Sequence, residues 1–503
     1  MTTPFKKRRK EWTDRFRTPA EAVGESARET IRIGWNARLT RLVRMVVLLL
    51  PRYANHRGPR ADALFLALAA VVGVLGALAV QIFFDMIDLA NDFLVVRPMS
   101  VEVLSGRWIF VPLLTGGSLA LAAWIMRRFG NGYDGLNVPD VSHAVAHHGG
   151  RLPARMSLAK SVASAVTIGG GGSAGSEGPV AVLGASMASL FARPLRLRAE
   201  RIQVLVGAGA AAGISATFGA PLAGAFFALE EILKSSSTTA FAPVVVASVV
   251  AYASSLAFFS ADAPFPQALT YGYTFYREVF IFFPLLGVVC GLAGGFFVRL
   301  EDRVARARWR RRTPSRLLPW VGGIAVGLII VAGQGYLGSR GHFTIDFDAL
   351  ARLSWLMLAL LALGKIVATV LTLNVGGSGG VFAPSLVTGA MIGTSLALLL
   401  EQVFPSLPLT PGTYALAGMG SLVAAATGAP ITSILIVFEI TDDHAMILPL
   451  MLSVVFAITV RRMMTSENLY SAWLSRTGRT AKWGSKPSPT GEFMAVGPLD
   501  EDR

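Results

Sequence analysis

Two stretches in opposite halves of this 503-residue chain repeat one spacing of glycine, proline and glutamate, and both sit in strongly apolar surroundings. The first half reads Gly175-Ser176-Glu177-Gly178-Pro179, then Gly184-Ala185, then Gly219-Ala220-Pro221 and Glu230. The second reads Gly379-Gly380-Val381-Phe382-Ala383-Pro384, then Gly389-Ala390, then Gly428-Ala429-Pro430 and Glu439. The step from proline to Gly-Ala is five residues in both, and from the later proline to glutamate nine in both. Paired apolar segments interrupted by Gly and Pro point to a transport site built from broken helices.

Uncharged runs cover Ala63–Phe84, Trp108–Met126, Ile202–Leu229, Ser235–Ser260, Val279–Val298, Leu317–Ser339, Ile366–Leu400 and Gln402–Phe438. A helix needs roughly 20 apolar residues to cross the hydrocarbon core, so these runs admit about eight crossings or more. Only 15% of the residues are charged, where a soluble chain of this size carries about a quarter. The chain therefore reads as a polytopic, all-α membrane protein embedded in lipid, and as a transporter rather than an enzyme. Its net charge of +15 gathers in an N-terminal arm (Lys6, Lys7, Arg8, Arg9, Lys10) and at Arg303–Arg316. Basic residues collect in cytoplasmic segments beside membrane spans, so the charge is no sign of a nucleic-acid partner. The implied organisation is a basic cytoplasmic arm over 1–60, membrane repeats over 61–260 and 261–478, and a disordered cytoplasmic tail over 479–503. Residues 1–60 lack the apolar core and cleavage site of a secretory signal, and the expected location is a bacterial inner membrane with both termini inside.

Gly169-Gly170-Gly171-Gly172 and Gly376-Gly377-Ser378-Gly379-Gly380 interrupt the apolar pattern. A glycine in a helix interior costs about 1 kcal/mol, and non-helical backbone survives at membrane depth only inside protein or beside a wet cavity. Each run reads as a turn feeding a helix that starts within the membrane. Such a start presents free N–H groups and the positive end of the helix dipole, a site for an anion that needs no lysine or arginine. Close helix packing through small residues is the competing explanation for the glycines, but the matched prolines favour a site. A nucleotide-binding reading of Gly169–Gly175 is weak, because no Gly-Lys-Ser/Thr follows and no strand-forming region or acidic ribose partner stands where a fingerprint needs it.

Glu177 lies at one of these proposed helix starts, with no basic neighbour in sequence. An ionisable group at membrane depth marks function by default. Its carboxylate can occupy the amide cradle that the transported anion would use, and can leave once protonated. Glu230 and Glu439 hold matching places in the repeat, which suggests a shared structural role such as holding a helix end. Glu231 has no counterpart, since Ile440 stands there, and suits either a second proton station or a solvated helix end beside Lys234. His143 and His147 have the i, i+4 spacing of metal ligands, but no cysteine or carboxylate completes a set nearby, so no metal or other cofactor is expected. The lone Cys290 reads as a small buried hydrophobe.

With these residues in view, the chain resembles the CLC family of chloride channels and chloride/proton antiporters over about residues 60–480. The family's first anion motif, Gly-Ser-Gly-Ile-Pro, corresponds to Gly135-Leu136-Asn137-Val138-Pro139. The second, Gly-Lys/Arg-Glu-Gly-Pro, corresponds to Gly175-Ser176-Glu177-Gly178-Pro179, and the third is intact as Gly380-Val381-Phe382-Ala383-Pro384. The tyrosine that closes the inner side of the anion site matches Tyr470. The resemblance implies many tilted and broken helices in two inverted repeats, and a homodimer with one pore per subunit. It places Glu177 as the external gating glutamate and Glu231 as the internal proton-transfer glutamate. Leu136, Asn137, Gly175, Ser176, Gly178, Val381, Phe382 and Tyr470 fall at the anion-binding positions. Leu136 replaces a serine hydroxyl at the central anion, and Ser176 replaces the basic residue beside the gate.

The expected function is proton-coupled anion antiport, with chloride as the anion. A passive channel, a fluoride- or other-anion-selective relative, and a solute transporter on a similar scaffold are the alternatives. Phe382 and Tyr470 argue against the last.

Overall fold

The computed structural model describes residues 58–97, 110–130, 136–234, 238–259, 279–307, 316–333, 336–338, 350–406, 409–441 and 443–478. The N-terminal arm, the C-terminal tail, Gly135 and most of the basic run after Arg303 lie outside them. One unit comprises Ala63–Arg193 and Arg198–Arg503; the other comprises Met1–Asp62 and Pro194–Leu197, of which residues 58–62 and 194–197 are described.

Among the described residues the structure is helical, with one isolated bridge and no strand. The first half runs through α1 (Pro59–Asn91), α2 (Phe110–Phe129), α3 (Val138–His147), α4 (Ala154–Gly169) and α5 (Glu177–Ala192). It continues with α6 (Ala199–Phe218), α7 (Pro221–Phe227), a π-helical turn (Ala228–Leu233) and α8 (Thr238–Phe259). The second half holds α9 (Val279–Ala305), α10 (Leu318–Ala332), α11 (Trp355–Asn374), α12 (Phe382–Val403) and α13 (Pro411–Thr427). It ends with α14 (Pro430–Thr441), α15 (Ile447–Met464) and α16 (Leu469–Arg476). Nine helices among the described residues are long and apolar enough to cross a membrane.

The repeat seen in the sequence is a repeat of elements. Both glycine-rich runs end a helix (α4 and α11) and lead into the next one (α5 and α12), as the spacing anticipates. α5 then packs on α6 and α12 on α13, each pair at facing glycines. A Cβ on Gly184 would collide with the Gly209 carbonyl, and one on Gly389 with the Gly418 carbonyl. Without a hydrophobic drive between helices in lipid, such close approach supplies the van der Waals contact that holds them. α6 and α13 stop at Gly219 (φ +66°) and Gly428 (φ +87°), a left-handed conformation that L side chains rarely adopt. Proline then opens the short helices α7 and α14.

Glu230 and Glu439 lock these short helices across the two halves. Glu439 accepts from the Leu222 and Ala223 N–H groups at the start of α7, both at 2.7 Å. Glu230 accepts from Ile431 N–H at 3.2 Å, Thr432 N–H at 2.9 Å and the Thr432 hydroxyl at 2.7 Å, at the start of α14. Each carboxylate therefore satisfies the orphan amides and opposes the dipole of a helix in the other half.

Candidate functional site

The two interrupting loops meet. Gly175 and Gly380 exchange backbone hydrogen bonds, Gly175 N–H to Gly380 O at 2.9 Å and Gly380 N–H to Gly175 O at 2.7 Å. Hydroxyls lace the same seam. Ser164 Oγ lies 2.9 Å from Ser378 Oγ, Ser173 Oγ lies 2.9 Å from Thr369 Oγ1, and Ser378 N–H donates to Thr167 Oγ1 at 3.0 Å. Backbone that has left its helices is thereby satisfied inside protein.

Glu177 opens α5 at this seam and is 1% exposed. Its Oε1 accepts a 2.5 Å hydrogen bond from Phe382 N–H, the first residue of α12, and Ala383 N–H is also directed at the carboxylate. Its Oε2 is buried with no hydrogen-bond partner among the described residues. The carboxylate from one half thus sits in the amide cradle of a helix from the other. Glycine makes the room: a Cβ on Gly380 or Gly175 would strike the Glu177 carboxylate, and one on Gly178 would lie 3.1 Å from Gly380 Cα. Phe382 is buried against Phe218, ring centroids 5.8 Å apart. Ser176 is buried as the residue preceding α5, and its carbonyl accepts from Val180 N–H.

A cavity of about 540 Å³ adjoins this cradle. Asn137, Gly178, Val381 and Tyr470 line it, joined by Lys160, Asn374 and Trp473. Tyr470 stands in the first turn of α16, whose start is fixed by Asn468 and Ser471: Ser471 N–H donates to Asn468 Oδ1 at 2.7 Å and Asn468 N–H to Ser471 Oγ at 2.8 Å. Leu136 is 1% exposed and, like Phe382, is not among the residues lining the cavity. The Asn137 N–H donates at 2.8 Å to Asp140 Oδ2, which also receives Trp473 Nε1–H at 3.3 Å. Glu231 lies apart, 7% exposed in the π-helical turn and likewise off the cavity lining. The arrangement therefore contains three places: the cradle, the cavity and the Glu231 turn.

Several lining residues escaped the sequence reading. Lys160 and Asn374 are buried in helices α4 and α11, and nothing local separates them from other polar residues of an apolar helix. Arg476 grips Glu301 at the cavity wall, Nη2 to Oε1 at 3.0 Å and Nη1 to Oε2 at 2.5 Å. Those partners are 175 residues apart in sequence. Asp140 had a usable signal, since an acid at the third position after Asn137 is a helix-start pattern. Arg155 donates to the Arg128 carbonyl and Arg193 to the Leu152 carbonyl. Among the described residues no group of three or more His, Cys, Asp or Glu could hold a metal.

Known proteins share this sequence pattern and fold. The family model described as voltage gated chloride channel matches residues 118–462. The chain is 31% identical over 425 residues to a ClcB-like chloride channel protein of Ralstonia nicotianae, covering 82% of this chain and 96% of that protein. It is 29% identical over 426 residues to the H(+)/Cl(−) exchange transporter ClcA of Salmonella agona, covering 82% and 88%. Its fold matches the crystal structure of a slow cyanobacterial Cl−/H+ antiporter with a TM-score of 0.71 at 27% identity, covering 84% of this chain and 99% of that one. This multi-pass membrane chain belongs to the voltage-gated chloride channel family.

Proposed function

We propose that this chain is a proton-coupled anion antiporter that exchanges chloride for protons across a bacterial inner membrane, working as a homodimer with both termini inside. The observation that carries the reading is the Glu177 carboxylate seated on the Phe382 and Ala383 amides. A carboxylate and a dehydrated anion satisfy the same N–H groups and the same helix dipole, so they compete. Glu177 takes its proton at Oε2, the oxygen with no partner among the described residues, becomes neutral, and yields the cradle to the anion. Return of the carboxylate expels the anion and releases the proton. One group thereby couples the two fluxes in opposite directions.

The cavity supplies the anion route to the cradle, with Tyr470, Asn137 and Val381 at its wall and the buried Lys160 as a basic side chain beside them. Arg306 on the cavity wall belongs to the basic run that follows Arg303, and basic segments beside membrane spans favour the cytoplasmic side, which supports a cavity facing the cytoplasm. Glu231 serves the proton branch alone, since it lies off the cavity wall. The relatives named as chloride/proton exchangers support chloride as the anion.

Proteoliposomes under an imposed chloride gradient decide between this reading and a passive channel. Antiport drives protons uphill against the chloride flux. Chloride flux with no proton movement identifies a channel and overturns the proposal.

A further inference from the structure

Three imidazoles cluster at the C-terminal end of α3. The His143 and His147 ring centroids are 4.6 Å apart, and those of His143 and His148 are 5.5 Å apart. All three are half-buried, and the turn that follows them is firmly held. Gln203 Nε2 donates to Val145 O at 2.6 Å, Ser189 Oγ donates to Gly150 O at 2.8 Å, and Leu152 N–H donates to Ser189 Oγ at 3.1 Å. α3 packs directly on the π-helical turn that carries Glu231, and both pack on α6: Gly150, just past the cluster, faces Ile202 and Val206, while the next residue, Gly207, faces Leu233 at the end of the π turn. On the same helix, Ser142 has a buried hydroxyl with no hydrogen-bond partner among the described residues. A hydroxyl can accept and donate at once, so it can pass a proton onward. Nothing in the anion route uses these four residues: none lines the cavity.

We propose that His143, His147 and His148 form the proton-loading relay that supplies Glu231 from the aqueous side; the inference rests on the antiporter reading above. Imidazole changes charge between pH 5 and 8, which suits a group that must both take and give a proton. His147 and His148 occupy the last turn and cap of α3. In each transfer an imidazolium N–H bond breaks as an O–H bond forms on Glu231, and the neutral ring takes its next proton from water. Charged and titratable groups on the elements packed against α3 are Glu230 and Glu231 in the π turn with Lys234 at its end, Glu200 and Arg201 on α6, Glu177 on α5, and Tyr470 and Arg476 on α16. α3 itself adds Asp140, held by Asn137 and Trp473 at the opposite end of the helix.

The test is the ratio of proton to chloride flux in proteoliposomes of the full chain, as a function of pH on the relay side. H143A/H147A/H148A should lower proton flux about tenfold with chloride flux kept, since a positioned proton carrier is worth at least that much. Its pH profile should lose the inflection near the imidazole range. Added imidazole should restore proton flux in this variant but not in Glu231→Gln. Wild-type proton flux and pH profile in the triple variant overturn the relay. Wild-type protein that moves no protons overturns the antiporter reading instead. Should the triple variant fail to assemble, His147→Gln decides by the same ratio and the same rescue.

Discussion

The two halves of this chain build the same elements and load them differently. Where they match, they hold the molecule: Glu230 and Glu439 each fasten the start of a short helix in the other half, and Gly184 with Gly209 mirrors Gly389 with Gly418. Where they differ, chemistry collects. α5 opens with a carboxylate, Glu177, while α12 opens with Phe382 and offers amides, so the halves supply the two sides of one contact. The first half also widens into a π turn carrying Glu231, where the second continues as α-helix with Ile440. π turns occur often at functional sites, and here one coincides with the carboxylate that has no repeat partner. In this chain the matched residues hold helices, and the unmatched carboxylates are the ones the proposed mechanism uses.

The largest effect expected from that contrast is at Glu177. Glu177→Gln keeps the shape but cannot titrate, so coupled proton flux should fall by about a hundredfold or more while chloride flux persists and its pH dependence flattens. In the wild type, acid should speed exchange, because the protonated side chain leaves the cradle. Proton uptake at the wild-type rate in this variant would break the assignment of roles between the halves. Glu231→Gln should also stop proton movement, but with the pH dependence of chloride flux retained, because Glu177 still titrates.

The matched glutamates should behave in the opposite way. Each makes at least two hydrogen bonds from backbone amides to a charged acceptor, and such a bond is worth about 1.5–3 kcal/mol. Glu230→Gln and Glu439→Gln retain one amide oxygen, so each should lose roughly one such bond and lower the thermal unfolding midpoint in detergent. The H+/Cl− ratio of the surviving protein should be unchanged. A changed ratio with normal stability in either would sink the claim that symmetric carboxylates are structural.

Much of this was legible from spacing. Apolar runs located the spans, glycine runs located the breaks, and the duplicated prolines and glutamates located equivalent helix starts. Which helix each glutamate holds was not legible, since it depends on α7 and α14 packing against each other across the two halves. The Arg476–Glu301 pair and the buried Lys160 were hidden for the same reason: long-range approach, not local pattern, brings them to the cavity. Asp140 shows a local competition that spacing alone overlooked, because its carboxylate engages the Asn137 amide that an anion would otherwise claim.

The smallest effect should be at Leu136, where the family motif carries serine. Read from the motif alone, a missing hydroxyl donor at the anion costs about 1.5–3 kcal/mol, or roughly ten- to a hundredfold in affinity, and Leu136→Ser should recover it. The side chain lies 1% exposed and off the cavity wall, and the neighbouring Asn137 amide is already engaged by Asp140. A hydroxyl placed there would first need a partner inside protein, while removal of a buried leucine leaves space that costs about 2–5 kcal/mol when truncated as far as alanine. Leu136→Ser should therefore lower stability and shift chloride affinity by less than about tenfold, as calorimetry in detergent reads it. Tightening beyond that range would mean that the start of α3 opens toward the anion, with Asp140 released from the Asn137 amide, and that the first motif contributes to the cradle as the other two do.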